Sequence, residues 1–290
     1  MPSPIALALH GGAGNLARYE GTGRLEFAEE MLNNLVRTLH QFLIGGSSAL
    51  DVATQAVMAM EDSGLFHAGK GSSPNSKGYV ELDASIMHGR RRTAGSIAAA
   101  TNMKNPIMAA RYVMEETQQV LIVGPEADLL TLASGSEIVG PDYFVPCDEV
   151  GAALPSMGTV GVVVLDLHGD IVAATSTGGT LRKRAGRVGD APIIGAGTYA
   201  VNNVGGVSCT GVGEYFLRTS AASRVIARMD LLGESPGAAS GCILSEITEM
   251  GGSGGMIVID HRGTVAMPYS TPGMYRASID ARGTTVVGCL

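Results

Sequence analysis

Cysteine is sparse and unpatterned. Cys147, Cys209, Cys242 and Cys289 are scattered over 290 residues, with no CxxC pair. That spacing supports neither a disulfide framework nor a zinc site, and it reads as reduced thiols in a cytoplasmic protein. No apolar stretch approaches the ~20 residues of a membrane span. The opening Met1-Pro2-Ser3-Pro4 lacks the basic region of a signal peptide. Positive charge is also short: 20 Lys and Arg against 27 Asp and Glu give a formal net charge of -7. That balance argues against nucleic acid and anionic membrane as partners. The run Arg90-Arg91-Arg92 is too isolated for a nucleic-acid patch and reads as hairpin-turn decoration. There is no GxxxxGK[ST], and no GxGxxG between strand and helix. The loops HGGAG (10–14) and AGKGSS (68–73) therefore do not make a nucleotide-binding module.

Glycine, by contrast, is abundant. The 41 glycines are about twice the usual ~7% share. They follow no collagen-like period, and a hydrophobic content of 45% excludes disorder. They cluster at 10–14, 178–179, 205–206 and 251–255, where they supply turns and let backbone N–H groups approach closely.

The coarse pattern is mixed. Ile5–Leu9 reads as a buried strand ending in a Gly-rich turn. Ala28, Met31, Leu32, Leu35, Leu39 and Phe42 recur at helical spacing over 25–43, and Gly45-Gly46 ends that helix. Ser48 with Asp51 resembles an N-cap and predicts a second helix through Met60. Strands are expected over 79–87 and 93–100, around a turn at His88-Gly89, and a helix over 106–116 starting at a proline. A short apolar run occupies 120–123. Residues 141–158 carry Pro141, Pro146 and Pro155 and read as an exposed, protease-accessible connector. A hairpin follows over 160–175, helices over 214–232 and 236–249, and a second hairpin over 256–267. Hairpins outnumber βαβ units. This predicts two mainly antiparallel sheets between helical layers rather than a doubly wound parallel sheet.

The segments that can carry chemistry are Gly158-Thr159-Val160-Gly161, Thr175–Gly179, Gly186–Asp190 and Ser208–Glu214. A threonine freed as a chain N-terminus brings its own base, an α-amine with a reference pKa near 7.7–8.0. A tetrahedral oxyanion needs donors, which Thr210 O–H and Gly211 N–H can provide. A small zwitterionic substrate needs a cation and an anion, and Arg187 with Asp190 can supply both. Each residue also has a plainer reading. Thr159 alone is an ordinary strand threonine, and Thr177 could cap the turn before Gly178. Arg187 and Asp190 could form a surface ion pair worth under ~1 kcal/mol. His10 reads as a buried, satisfied histidine, while His40, His88, His168 and His261 show no metal spacing.

Taken in order, the motifs resemble the plant-type asparaginase / isoaspartyl aminopeptidase family of N-terminal-nucleophile hydrolases. The likeness spans HGGAG (10–14), ELDASIM (81–87), NPIMAARYVME (105–115), GTVGVVVLD (158–166), TSTGG (175–179), GRVGDAPIIGAG (186–197), SCTGVGE (208–214), GG-x-GG (251–255) and AMPYSTPGMYR (266–276). It implies one α+β domain over 1–290, an αββα sandwich, cut between Gly158 and Thr159 into an α subunit 1–158 and a β subunit 159–290. The implied activity is hydrolysis of asparagine or β-aspartyl dipeptides by Thr159, through a β-aspartyl-enzyme. Thr177 would support the nucleophile, and Thr210 with Gly211 would form the oxyanion hole. Arg187 would hold the substrate carboxylate and Asp190 its ammonium, with backbone contacts from Gly213. No cofactor is implied for catalysis. A structural sodium is implied in the loop of Met60, Glu61, Ser63, Phe66, Ala68 and Lys70, held by backbone carbonyls. The resemblance further implies a dimer of αβ units.

Two departures stand out. His67 occupies a position where the family commonly has Asn, which makes it a candidate pocket residue, and the connector before Thr159 is short. Gly178, where glycosylasparaginases typically carry a polar residue, and the absent secretory signal disfavour that relative. A single-chain, non-catalytic binding protein is the reading from a different class.

Overall fold

The computed structural model describes residues 4–145 and 158–290. In chain order the elements are β1 (Ala6–Gly14), α1 (Arg24–Ile44), α2 (Ala49–Asp62), β2 (Leu82–His88), β3 (Thr93–Ala100), α3 (Pro106–Glu116), β4 (Leu121–Val123) and α4 (Pro125–Asp128). After the connector come β5 (Val160–Leu165), β6 (Ile171–Thr177), β7 (Thr198–Val201), β8 (Gly205–Gly211), α5 (Gly213–Thr219), α6 (Ala221–Leu232) and α7 (Pro236–Glu249). The chain closes with β9 (Gly254–Asp260), β10 (Val265–Ala266), β11 (Gly273–Ile279) and β12 (Thr285–Gly288).

The strands form two sheets. The larger runs β12-β11-β1-β5-β6-β2-β3-β4 and the smaller β10-β9-β8-β7. Every pairing is antiparallel except β3 with β4. One apolar cluster packs α1, α2 and α3 on the large sheet through Leu32, Val36, Val57, Leu7, Val162 and Val164. A second packs α6 and α7 on the small sheet through Val225, Ile243, Val207 and Val258. A third fills the space between the sheets with Ala6, Ala8, Val163, Ile171, Ala173 and Ile257. Helix, sheet, sheet and helix therefore stack as the expected four-layer α+β sandwich.

The strand period of two decides what faces what. In β5, Val160, Val162 and Val164 face the helices while Val163 and Leu165 face the other sheet. By the same alternation His10, Thr159, Thr175, Thr177, Ser208 and Thr210 fall on the layer between the sheets, and all six are buried. The small size of the residues around them lets the sheets approach there. Burying these polar groups is tolerable only because they find partners.

Several boundaries differ from the sequence reading. HGGAG is not a turn: β1 continues through Gly14, and a register shift between His10 and Gly12 lets it bend. The helix expected over 214–232 is two helices, broken where Ser220 adopts a left-handed conformation. β2 begins at Leu82 rather than at 79, and β11 and β12 had no counterpart in the sequence reading. Of the expected connector, Pro141–Tyr143 makes a short 3-10 turn, and 146–157 lie outside the described residues.

Candidate active site

Gly158 and Thr159 lead into β5 at one end of the layer between the sheets. Two strands converge on them. From β6, the Thr177 hydroxyl donates to the Gly158 carbonyl at 2.9 Å and accepts the Gly179 N–H at 2.9 Å. The second bond fixes the rotor, so the hydroxyl hydrogen is aimed at the carbonyl. From β1, Gly12 approaches so closely that a Cβ there would lie 3.0 Å from Gly158 Cα and 3.3 Å from Thr159 N. Its φ of 112° is a second reason for glycine at this position. The next residue, Ala13, donates its N–H to Thr210 Oγ1 of β8 at 3.3 Å. The Gly12-Ala13 pair thus touches Gly158 and Thr159 on one side and Thr210 on the other.

Gly211 follows with φ 140°, and a Cβ there would meet Ser253 O at 2.4 Å. Arg187, Asp190 and Gly213 also come together. A Cβ on Gly213 would lie 2.6 Å from Asp190 Oδ1 and 3.0 Å from Arg187 Nη2. Asp190 is buried, and its Oδ2 has no hydrogen-bond partner in the structure. Burial pushes its carboxyl up to about 7, opposed by its own backbone N–H and by the Arg187 charge. A buried carboxylate with an unmet acceptor beside a guanidinium is an environment ready for a cationic group.

Arg187 does not pair with Asp190. Its Nε and Nη2 donate to the two Glu214 oxygens, each at 2.9 Å, in a bidentate clamp. Those hydrogen bonds hold the Glu214 carboxyl below its ordinary value despite partial burial. The sequence reading gave Glu214 no role. Twenty-seven positions separate it from Arg187, and only the fold brings them together.

His67, the family departure, lies against the junction. A Cβ on Gly158 would sit 2.5 Å from His67 Cδ2, and the His67 carbonyl accepts the Gly178 N–H at 2.8 Å. Its Nδ1 is 3.4 Å from Ser73 Oγ. On the helix side of β6, Ser176 donates to the buried Glu61 carboxyl of α2 at 2.6 Å. Glu61 also accepts from Asn105 and from the Ile107 N–H, anchoring the strand that carries Thr177. His10 is buried and doubly hydrogen-bonded, as expected of a satisfied histidine. Among the described residues no cluster of His, Cys, Asp and Glu could hold a metal ion.

Two antiparallel-rich sheets between helices, with a buried threonine at the head of a central strand and a hydroxyl donating to the peptide before it, define an N-terminal-nucleophile type of hydrolase fold. The comparisons agree. The chain belongs to the asparaginase family, whose pattern matches residues 3–154 and 148–289. It is 42% identical over 306 residues to the isoaspartyl peptidase of Escherichia coli (strain K12), covering 97% of this chain and 95% of that protein. It is 35% identical over 280 residues to an isoaspartyl peptidase/L-asparaginase of Danio rerio, with 91% and 89% covered. A probable isoaspartyl peptidase/L-asparaginase 2 of Arabidopsis thaliana is 34% identical over 312 residues, with 93% and 94% covered. No helix among the described residues is long and apolar enough to cross a membrane.

Proposed function

We propose that this protein is a self-processing threonine amidohydrolase acting on the side-chain amide of L-asparagine and on β-aspartyl peptides. The observation that carries the reading is the Thr177 hydrogen bond to the Gly158 carbonyl, one bond ahead of a buried threonine. The names of the relatives support the substrate class.

In the first half, Thr159 Oγ attacks the Gly158 carbonyl carbon while Thr177 stabilises the developing oxyanion. The acyl group shifts from nitrogen to oxygen, and water hydrolyses the ester. Fragments 1–158 and 159–290 result. In the second half, the freed α-amine of Thr159 accepts the Oγ proton as the oxygen attacks the substrate amide. Thr210, whose oxygen already accepts from Ala13, has its hydrogen available for the substrate oxyanion alongside Gly211 N–H. Arg187 receives the substrate carboxylate and Asp190 its ammonium, with Gly213 leaving them room. The α-amine returns the proton to the leaving ammonia or amino acid, and water releases aspartate from Thr159.

The end of α2 fits a structural sodium. Gly69 presses on the Glu61 carbonyl and Gly71 on the Phe66 carbonyl, where a Cβ would come within 2.7 and 2.2 Å of those oxygens. Backbone carbonyls of Met60, Glu61, Ser63, Phe66, Ala68 and Lys70 would hold the ion, which supplies rigidity and no chemistry. A dimer of αβ units and a cytoplasmic setting complete the proposal. The free thiols of Cys209 and Cys289, both buried, suit a reducing compartment.

A glycosylasparaginase-like activity fits less well. A side chain at Gly178 would meet Ser72 Oγ at 2.3 Å, so the polar residue of that group has no space. The test is an intact mass and a denaturing gel. Wild type should give fragments 1–158 and 159–290 and hydrolyse asparagine or β-aspartyl-leucine. Thr159→Ala should stay whole and inactive. A wild-type chain that stays whole yet turns over either amide would overturn the mechanism, and a whole, inert one would favour the non-catalytic reading.

A further inference from the structure

The proposed chemistry leaves a file of buried polar side chains unused. His10 Nδ1 lies 2.9 Å from Thr159 O, and Nε2 lies 2.9 Å from Ser208 Oγ. Ser208 Oγ is 2.7 Å from Thr175 Oγ1, which is 2.5 Å from Thr198 Oγ1. Ser85 Oγ is 2.8 Å from Thr198 Oγ1 and donates to the Ala191 carbonyl at 2.6 Å. All five side chains are fully buried. They come from β1, β8, β6, β7 and β2 in turn, so each step crosses from one sheet to the other. One end is the carbonyl of the proposed nucleophile, and the other is the residue after Asp190.

The file has one polarity. A carbonyl can only accept, so the Thr159 oxygen requires the hydrogen on Nδ1. Burial pushes the imidazole down to about 3, against the raising effect of the Thr159 carbonyl, so the ring is neutral and Nε2 accepts. Ser208 therefore donates to Nε2, Thr175 donates to Ser208, and Thr198 donates to Thr175. Ser85 has one hydrogen for two acceptors, the Ala191 carbonyl and Thr198 Oγ1, and Thr198 Oγ1 is itself 3.4 Å from that carbonyl. Each hydroxyl has one hydrogen, so a single choice at Thr159 fixes the direction from His10 as far as Thr198.

Gly161 is a second, independent observation. It sits opposite His10 in the β1–β5 register. A Cβ there would lie 2.0 Å from Ser208 Oγ and 2.3 Å from His10 Nε2. Its missing side chain is what lets the imidazole reach the serine. Away from Thr159, Thr177 and Thr210 the layer is packed with apolar side chains such as Ala8, Val163, Ala173 and Ile257, and filling this part alike would spare the desolvation of five polar groups.

We propose that His10 is a positioning residue for Thr159, locked in one tautomer by Ser208, Thr175, Thr198 and Ser85, and that this file ties the nucleophile to the segment bearing Asp190. The catalytic part of the inference rests on the amidohydrolase reading above.

The test is a double-mutant cycle with an NMR arm on full-length protein labelled with 15N-histidine. Wild type should show His10 as the Nδ1–H tautomer, unchanged on acidification to pH 5. Thr198→Val, two hydroxyls away from the ring, should move the His10 15N signals and lower kcat on β-aspartyl-leucine by about tenfold. Thr198→Ser should restore most of that loss. His10→Asn keeps a donor near the Nδ1 position but severs the file. Combined with Thr198→Val, it should cost no more than either change alone, because both cut the same connection. Losses that multiply, or His10 signals untouched by Thr198→Val, would overturn the proposal. Should Thr198→Val not fold, Thr175→Val cuts the same file one hydroxyl nearer the ring. The NMR arm needs no turnover: a wild type inert to both amides would sink the hydrolase reading, while the file would still stand or fall on the His10 signals.

Discussion

The Thr177 hydroxyl donates to the carbonyl of Gly158 at 2.9 Å, with its rotor held by the Gly179 N–H. A donor already aimed at a peptide oxygen gains strength as that oxygen becomes an oxyanion. Thr177→Val should therefore slow the appearance of the 159–290 fragment by about 10²–10³-fold, the usual cost of one such donor. Thr177→Ser should retain most of the rate. A time course on denaturing gels reads both, and equal rates for valine and wild type would remove Thr177 from the cleavage step.

Asp190 governs the expected pH dependence. Its carboxyl, raised by burial to about 7, is neutral below that value and ionised above it. Binding of a substrate ammonium needs the ionised form. kcat/KM should therefore fall by at least about tenfold per unit as the pH drops below about 7, and more steeply where the Thr159 α-amine, the proposed base, is protonated as well. Free-enzyme profiles report this group. Asp190→Asn should lose activity throughout, and a wild-type profile flat from pH 8 to 5 would contradict the assignment.

Glu214 clamps Arg187 through two hydrogen bonds at 2.9 Å, yet its side chain is 54% exposed. Arg187 is only 18% exposed, but the Glu214 carboxylate is regained by water when it swings away, which offsets most of what the pair contributes. A substrate carboxylate can therefore displace it at small cost. Glu214→Gln weakens the competition and should lower KM by about two- to fivefold with kcat nearly unchanged. A rise in KM would mean that Glu214 instead orients Arg187 for the substrate.

Gly213 separates binding from self-processing. Its Cβ would intrude on Asp190 Oδ1 at 2.6 Å and Arg187 Nη2 at 3.0 Å. Gly213→Ala should cleave itself at the wild-type rate, yet show a KM raised by about tenfold or more. Loss of self-cleavage would point to a general misfolding of the site.

Much of this was legible in the sequence for identifiable reasons. The helices at 106–116 and 236–249 emerged with the expected ends because each begins at a proline, in the second case behind a capping serine. The strand at 93–100 was bounded by its hairpin turn. HGGAG misled because glycine usually marks a turn, whereas here it marks close approach to Gly158. Ser220, in a left-handed conformation with no glycine to signal it, hid the break between α5 and α6. Within the site, the segments 158–161, 175–179, 186–190 and 208–214 were singled out by their residue types, and the fold gathers residues of each around Gly158 and Asp190. What spacing could not give was pairing across distance: Arg187 with Glu214, His10 with Ser208, Glu61 with Ser176.

The order of the large sheet has a mechanical outcome. β12 and β11 lie after Gly158 in sequence, β1 before it, β5 and β6 after it, and β2, β3 and β4 before it. A scission there would sever a covalent thread while leaving the two pieces interlaced, like fingers of two hands. Neither piece could leave without tearing main-chain ladders on both flanks of β1. Such a molecule would keep its heat resistance when nicked, but once melted it would need two separate chains to find each other again.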